Sequence, residues 1–109
     1  MESTITLHVD LDENRVPNHI RWNAPEGGIS EALAQAFLLT VWDGTNKEAL
    51  RIDLWTKEMT VDDMQKFYHQ TFIAMADGFQ RATSDEAMAN DIRDFARYFG
   101  EKQKLFKKK

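Results

Sequence analysis

The chain has 109 residues, 42% of them hydrophobic, with a formal net charge of -4 and no cysteine. Its length and apolar content predict one compact soluble domain over residues 1–109 and argue against intrinsic disorder. The lack of cysteine excludes disulfides, thiolate zinc sites and cysteine nucleophiles, and it is typical of a reducing compartment.

The sequence predicts a cytoplasmic protein. Its N-terminus, MESTITLHVDLDEN, has no apolar run of signal-peptide length, and no segment approaches the roughly 20 apolar residues that a membrane span needs. The negative net charge argues against nucleic-acid binding, although five lysines lie in the last eight residues, KQKLFKKK. We interpret this lysine-rich tail, from about Lys102, as a frayed helix end whose cations offset the helix dipole, with contact to phosphate or an anionic membrane as the alternative.

Two alternating segments predict a β-hairpin at the start of the chain. From Ile5 to Leu11 every second residue is apolar, which is typical of a half-buried strand. After the polar turn DENRVP, Ile20 and Trp22 alternate with polar residues. The expected register joins Val9 to Ile20, Asp10 to His19 and His8 to Arg21. A two-residue slip, which joins Asp10 to Arg21, keeps the apolar and polar residues on opposite faces equally well.

A second hairpin is predicted after the loop APEGGISE. The segment that follows this loop is ambiguous, because Ala and Leu favour helix through about Gln35 whereas FLLTVW favours strand. We interpret residues 36–43 as a strand that pairs across the turn DGTN with residues 48–55. The register joins three apolar pairs, Val41 with Leu50, Leu39 with Ile52 and Phe37 with Leu54. These residues are expected to build the core, and the opposite face then carries Thr40, Trp42, Arg51, Asp53 and Trp55.

Two amphipathic helices are predicted after the second hairpin. Thr60 with Asp63 forms a capping pattern, so the first helix should begin at Val61. Apolar residues at spacings of three and four follow, and a second capping pattern, Thr83 with Glu86, predicts a second helix. The expected end of this second helix is Gly100 or Leu105.

The predicted fold class is α+β, with a four-stranded antiparallel sheet of two hairpins followed by two C-terminal helices packed on one face. Four strands about 4.8 Å apart make a sheet about 20 Å wide, and two helices about 10 Å apart would cover one face of it. The other face has no element left to cover it. We therefore expect it to be exposed or to meet a partner.

This uncovered face supplies the candidate partner-binding residues. Two tryptophans on one exposed face are unusual, and protein interfaces favour Trp and Arg anchors. The six candidates are Trp42, Arg51, Asp53, Trp55, His19 and Arg21. The alternative is that the charged residues form ordinary cross-strand pairs on a solvated face, each worth about 0.2–1 kcal/mol.

No pattern of residues indicates a catalytic, metal or cofactor site. His8, Asp10 and His19 offer nitrogen and oxygen ligands, but their spacing matches no ligand motif and Arg21 would repel a cation. His69 on the first helix is better explained as a solvated or partly buried side chain than as a general base. We therefore expect no enzyme activity and no cofactor. A cavity between sheet and helices that binds a small apolar ligand is the alternative to a protein-binding role.

Three stretches of sequence span nearly the whole chain in a recognisable order. They are LDENRVP with IRWNA at residues 11–24, LRIDLWTKEMTVDDM at 50–64, and MADGFQRAT with DFARYFGEK at 75–102. In these stretches the chain resembles the GldC family, small gliding-motility-associated proteins of surface-gliding bacteria. The resemblance implies a cytoplasmic accessory protein linked to gliding and to the secretion machinery that exports gliding adhesins, with no catalytic residues. A protein of that machinery is the expected partner, and a homodimer is a further expectation.

Overall fold

The computed structural model describes residues 1–106 and shows an α+β protein. The chain forms two compact units, one of strands over Met1–Met59 and one of helices from Thr60 onward. The strands are β1 (Thr6–Leu11), β2 (Pro17–Ala24), β3 (Ile29–Ala34), β4 (Ala36–Asp43) and β5 (Glu48–Trp55), and the helices are α1 (Val61–Thr83) and α2 (Glu86–Lys102). The lysine-rich tail was predicted from about Lys102, and its last three residues, 107–109, lie outside the described residues.

The first three strands form an antiparallel sheet in the order β1-β2-β3. The register that joins Val9 to Ile20 is confirmed, and with it the pairs Asp10–His19 and His8–Arg21. The alternative slip is therefore wrong. Ile20 is the fully buried residue of this sheet, with no exposed surface.

The prediction of a single four-stranded sheet is wrong, because residues 29–34 form an additional strand. Residues 29–31 were predicted to lie in the loop, and Ala and Leu favour helix after it. Instead, β3 places Ala32 opposite Trp22 and Ala34 opposite Ile20, so small side chains face large ones across the pair. This tertiary pairing outweighs the local propensity. Gly28, at φ +74°, adopts the left-handed conformation that ends the short 3-10 turn before β3.

The last two strands, β4 and β5, form a separate two-stranded sheet, here called the ribbon. The three predicted apolar pairs are confirmed, and the same register holds for all eight observed pairs, from Ala36 opposite Trp55 to Asp43 opposite Glu48. The carboxylate of Asp43 accepts hydrogen bonds from the backbone N–H groups of Thr45 and Asn46, which holds the turn between the strands.

A bend at Gln35 separates β3 from β4, and there the partner of the extended chain changes from β2 to β5. The N–H of Thr56 donates to the carbonyl of Gln35 at 2.8 Å, and the N–H of Lys57 donates to the carbonyl of Pro17 at 3.2 Å. The end of β5 is thereby hydrogen-bonded to the start of β2. The two sheets are joined by backbone contacts at this one corner of the strand unit.

The helical unit is an antiparallel pair with its own aromatic cluster. The prediction that α1 begins at Val61 is confirmed, since the Thr60 hydroxyl accepts from the N–H of Asp63 at 3.0 Å. The prediction of Thr83 as the second N-cap is wrong. Thr83 is the last residue of α1, and Asp85 accepts from the N–H of Met88 instead.

Small residues and stacked rings hold the helix pair together. The four buried residues of the two helices, Ala76, Ala89, Ala96 and Gly100, are all small, which lets the helices approach closely. The Phe72 ring lies edge-to-face with those of Phe95 and Phe99, at centroid distances of 5.3 and 5.2 Å. Neither helix, within residues 1–106, is long and apolar enough to cross a membrane. That the helices cover one face of a sheet stays a prediction from the sequence.

Candidate functional site

Four of the six candidate residues lie together on one face of the ribbon. Alternation along β4 and β5, in the observed register, places Trp42, Arg51, Asp53 and Trp55 on the same side. Trp42 lies near the turn and is 63% exposed, and Trp55 lies at the far end and is 52% exposed. We call these four residues the tryptophan face.

The tryptophans stand at opposite ends of this face. Trp42 is opposite Ala49 and Trp55 is opposite Ala36, so neither ring has a large side chain across from it. The two positions are six residue pairs apart, which corresponds to about 20 Å along an extended ribbon. Two aromatic anchors at this spacing present a long, shallow surface.

An ion pair lies between the two tryptophans. The Nε of Arg51 is 3.0 Å from Oδ2 of Asp53, with the Arg51 side chain 70% exposed. Because both residues belong to β5, this pair does not link β5 to β4. The other carboxylate oxygen of Asp53, Oδ1, is buried and has no hydrogen-bond partner within residues 1–106. An unpaired acceptor of this kind is costly unless it gains a donor.

The other two candidates, His19 and Arg21, lie in the three-stranded sheet and not in the ribbon. Arg21 contacts Asp10 on β1, with 3.8 Å between Nε and Oδ2, and Glu31 on β3, with 3.2 Å between Nη1 and Oε2. Its guanidinium thus bridges all three strands. Asn23 supports the same edge, since its side-chain oxygen accepts from the N–H of Glu31 at 2.7 Å.

His19 lines a groove of about 290 Å³ at the corner where the two sheets are joined. The groove also touches Asn18, Gln35, Glu58 and the buried Thr56, whose hydroxyl oxygen has no hydrogen-bond partner in the described part of the chain. Ile20, Leu33 and Ala34 complete the lining, so polar and apolar side chains both face the groove. Sequence reasoning did not find this groove, because it depends on the bend at Gln35.

A salt bridge also connects the two sheets at this corner. The ammonium of Lys57 is 2.6 Å from Oδ2 of Asp12, while Oδ1 of Asp12 accepts from the N–H groups of Asn14 and Val16. The hydrogen bond from Lys57 and then that from Val16 hold the pKa of Asp12 below its ordinary value. The pKa of Asp43 is also lowered, there by hydrogen bonds from the backbone N–H groups of Thr45 and Asn46.

The opposite face of the ribbon is apolar and exposed, which the sequence did not predict. Leu50 and Ile52 were expected to build the core, and that prediction is wrong, because they are 51% and 54% exposed. Leu39 and Val41, which pair with them, are also exposed. Alternation identifies the apolar face of a strand, but it does not say what covers that face.

The helical unit has a polar cleft of about 460 Å³. Its lining includes Asp77 and Arg93, which form an ion pair at 2.9 Å between α1 and α2. Arg81 also lines the cleft, so its lining carries one more positive than negative charge. Within residues 1–106, no group of three or more His, Asp or Glu side chains is placed to hold a metal ion.

The molecule is an α+β protein whose most distinctive surface is an exposed two-stranded ribbon with two tryptophans. Residues 17–105 match the family model described as "Gliding motility-associated protein GldC-like". The match covers most of the chain, so the chain belongs to the GldC-like family, and its association with gliding motility follows from that membership. No curated protein and no solved structure matches the chain.

Proposed function

We propose that this chain is a non-enzymatic, cytoplasmic accessory protein of gliding motility and its associated protein secretion. In this proposal it acts as a protein-interaction module, and the tryptophan face of the ribbon binds a protein of the gliding or secretion machinery. The link to gliding comes from the family. The binding role rests on the surface described above.

The exposure of Trp42 and Trp55 on one face carries the proposal. Large aromatic side chains that stay in contact with water cost free energy, and they are the most frequent anchors of protein interfaces. Arg51 and Asp53 between them supply a polar group of both signs, which fits a partner with charged residues of its own. A partner that covers both rings would span about 20 Å, the length of a strand or of a helix of three to four turns.

The double variant Trp42→Ala/Trp55→Ala tests this role. We expect folding to be kept, because both rings are exposed, and we expect loss of crosslinking to the machinery in gliding cells together with slower spreading on agar. The measurement is recovery of named gliding or secretion components after crosslinking, with circular dichroism as the folding check.

A matched control is Leu33→Ala/Tyr98→Ala. These two large side chains are 77% and 54% exposed but lie outside the ribbon. The control should crosslink as the unchanged chain does. Equal recovery of those components with the tryptophan variant and the control would contradict the proposal.

His19 and Arg21 form a second group, since they lie on a different sheet from the tryptophan face. The variant His19→Ala/Arg21→Ala asks whether the three-stranded sheet also contributes to binding. If both groups touch the same partner, the two double variants should weaken recovery separately. Binding of a small apolar ligand between sheet and helices stays an alternative from the sequence, and no contact within either unit favours it.

A further inference from the structure

The outer edge of β5 is a regular strand edge whose backbone groups point away from the ribbon. Within residues 1–106, the strand paired with β5 is β4, and the contact of the chain with the start of β2 comes two residues after β5 ends, at Lys57. The N–H of Thr56 donates to Gln35 in the same register, so Ile52 and the residues two positions to either side form the hydrogen-bonded pairs with β4. The alternate residues, Ala49, Arg51, Asp53 and Trp55, therefore direct their N–H and C=O groups outward.

This edge lacks proline, lysine and a bulge, and its central charged residues, Arg51 and Asp53, are of opposite sign. Free edges are commonly blunted by proline, lysine or a bulge. The sequence of β5, EALRIDLW, contains no proline, glycine or lysine, and its eight pairs with β4 run without a register shift. In contrast, β1, at the edge of the other sheet, has a register shift between Asp10 and Leu11.

We propose that β5 pairs with β5 of a second copy of this chain, antiparallel and about a two-fold axis at Ile52. The outward groups of one strand must meet the outward groups of the other, so Arg51 can lie opposite residue 49, 51, 53 or 55. Placing it opposite itself sets like charges against each other, as does placing Asp53 opposite Asp53. Only the register centred on Ile52 places Arg51 of each copy opposite Asp53 of the other.

In this register both the charged residues and the apolar residues lie opposite favourable partners in the second copy. Arg51 and Asp53 of the two copies form a square of alternating charges, and opposite charges directly across a strand pair stabilise it. On the other face, Ile52 meets Ile52 and Leu50 meets Leu54. A two-fold contact of this kind closes on itself, so it yields a dimer and not a fibre.

The dimer would stabilise the ribbon, which has only two strands. An isolated two-stranded ribbon is marginal in water, whereas three or more strands with an apolar face are stable. Pairing the two β5 edges gives a four-stranded sheet, with about eight new backbone hydrogen bonds. The inference does not depend on the docking proposal, because it uses the backbone edge of β5 and the charges of Arg51 and Asp53 and makes no use of the two tryptophan rings.

A single engineered cysteine tests the axis, because the natural chain has no cysteine. In Ile52→Cys the two thiols would face each other in a non-hydrogen-bonded pair with Cα atoms about 4.5 Å apart, which lies within the range of a disulfide. The control is Val41→Cys, since Val41 is as exposed as Ile52, at 54%, and lies on the same face. In the proposed dimer the two β4 strands are three strand spacings apart, about 14 Å, which is too far for a disulfide.

We expect mild oxidation to convert Ile52→Cys into a covalent dimer and to leave Val41→Cys a monomer. If neither variant is crosslinked, the proposal is wrong. Equal crosslinking of both would overturn it in favour of contact between the apolar faces of two ribbons.

A charge swap tests the register. Sedimentation of the unchanged chain should give twice the monomer mass, and Arg51→Asp should give the monomer, because two carboxylates then oppose each other. The variant Arg51→Asp/Asp53→Arg restores opposite charges and should restore the dimer. A folded double swap that stays monomeric, like the single variant, would rule out this register.

Discussion

The two sheets of the strand unit differ both in how regularly their strands pair and in how deeply their central residues are buried. The three-stranded sheet has register shifts in both of its strand pairs, yet it contains the fully buried Ile20. The ribbon pairs without a shift over eight residues, yet Ile52 at its centre is 54% exposed. Regular pairing therefore marks the sheet that has the less complete core. In the three-stranded sheet the irregular positions lie where the edges would otherwise pair with other chains.

The arginines show the same contrast. Arg21 is held between carboxylates on two neighbouring strands, so its charge is used to connect β1, β2 and β3. Arg51 contacts Asp53 of its own strand and connects nothing within the ribbon. The charges of the first sheet serve the fold, and those of the ribbon are free to serve an interface.

The largest expected effect on stability distinguishes a buried isoleucine from an exposed one. Ile20→Ala removes a fully buried side chain and should lower the free energy of unfolding by about 2–5 kcal/mol. Ile52→Ala truncates an exposed side chain and should cost less than about 1 kcal/mol when the protein is dilute. Urea denaturation of both variants measures the two costs.

Protein concentration sharpens this comparison. If β5 pairs with a second copy, the cost of Ile52→Ala should rise with protein concentration, because the folded dimer is favoured by mass action. The cost of Ile20→Ala should not change. Equal costs for the two variants in dilute solution would show that the ribbon has a buried core after all.

The strands and registers of both hairpins were predictable from the sequence, but the division into two sheets was not. Alternation and turn residues gave the register of the second hairpin, as with Val41 and Leu50, but they left two registers open for the first, of which the structure has the one that joins Val9 to Ile20. The missed element, β3, combines residues predicted as loop with residues of high helix propensity, and it is a strand because β2 offers it a pairing edge. Such a long-range partner has no local signal in the sequence.

The candidate site was predictable in part for the same reason. The four residues of the tryptophan face share a face because they belong to one hairpin, and hairpin register is a local property. His19 and Arg21 were grouped with them on the assumption of a single sheet. The structure places them in the other sheet, because β3 pairs with β2 and the two predicted hairpins do not join in one sheet.

A smaller effect is expected from the two arginines. Arg21→Met should cost about 0.2–1 kcal/mol, since a partly exposed arginine that bridges two carboxylates is lost. Arg51→Met should leave the stability of the dilute protein unchanged within about 0.5 kcal/mol. Thermal denaturation in low and high salt checks this, because screening should reduce the cost at Arg21. If Arg51→Met lowered stability more than Arg21→Met, the proposal that Arg21 supports the fold and Arg51 an interface would be wrong.

The smallest effect concerns the corner that joins the two sheets. The pKa of Asp12 is lowered in the folded state, mainly by its hydrogen bond with Lys57, so the folded chain holds the proton less well than the unfolded chain does. The stability gained is therefore fully present above the ordinary aspartate pKa, about 4, and is lost as the pH falls through the lower folded value. Asp12→Asn keeps an acceptor oxygen for the N–H groups of Asn14 and Val16 while it removes the charge that faces Lys57.

The melting temperature of Asp12→Asn should consequently lie below that of the unchanged chain at pH 7, and the two should converge in acid. Asp43→Asn is the control from the ribbon, because the lowered pKa of Asp43 comes from hydrogen bonds within its own turn and not from a cation. Adding salt should reduce the difference in melting temperature caused by Asp12→Asn and leave that caused by Asp43→Asn nearly unchanged. Salt screens an ion pair more than it weakens backbone hydrogen bonds. If the Asp12 difference persists in acid, the charge on Asp12 does not fasten the corner. The backbone hydrogen bonds of Thr56 and Lys57 would then hold the ribbon to the three-stranded sheet without it.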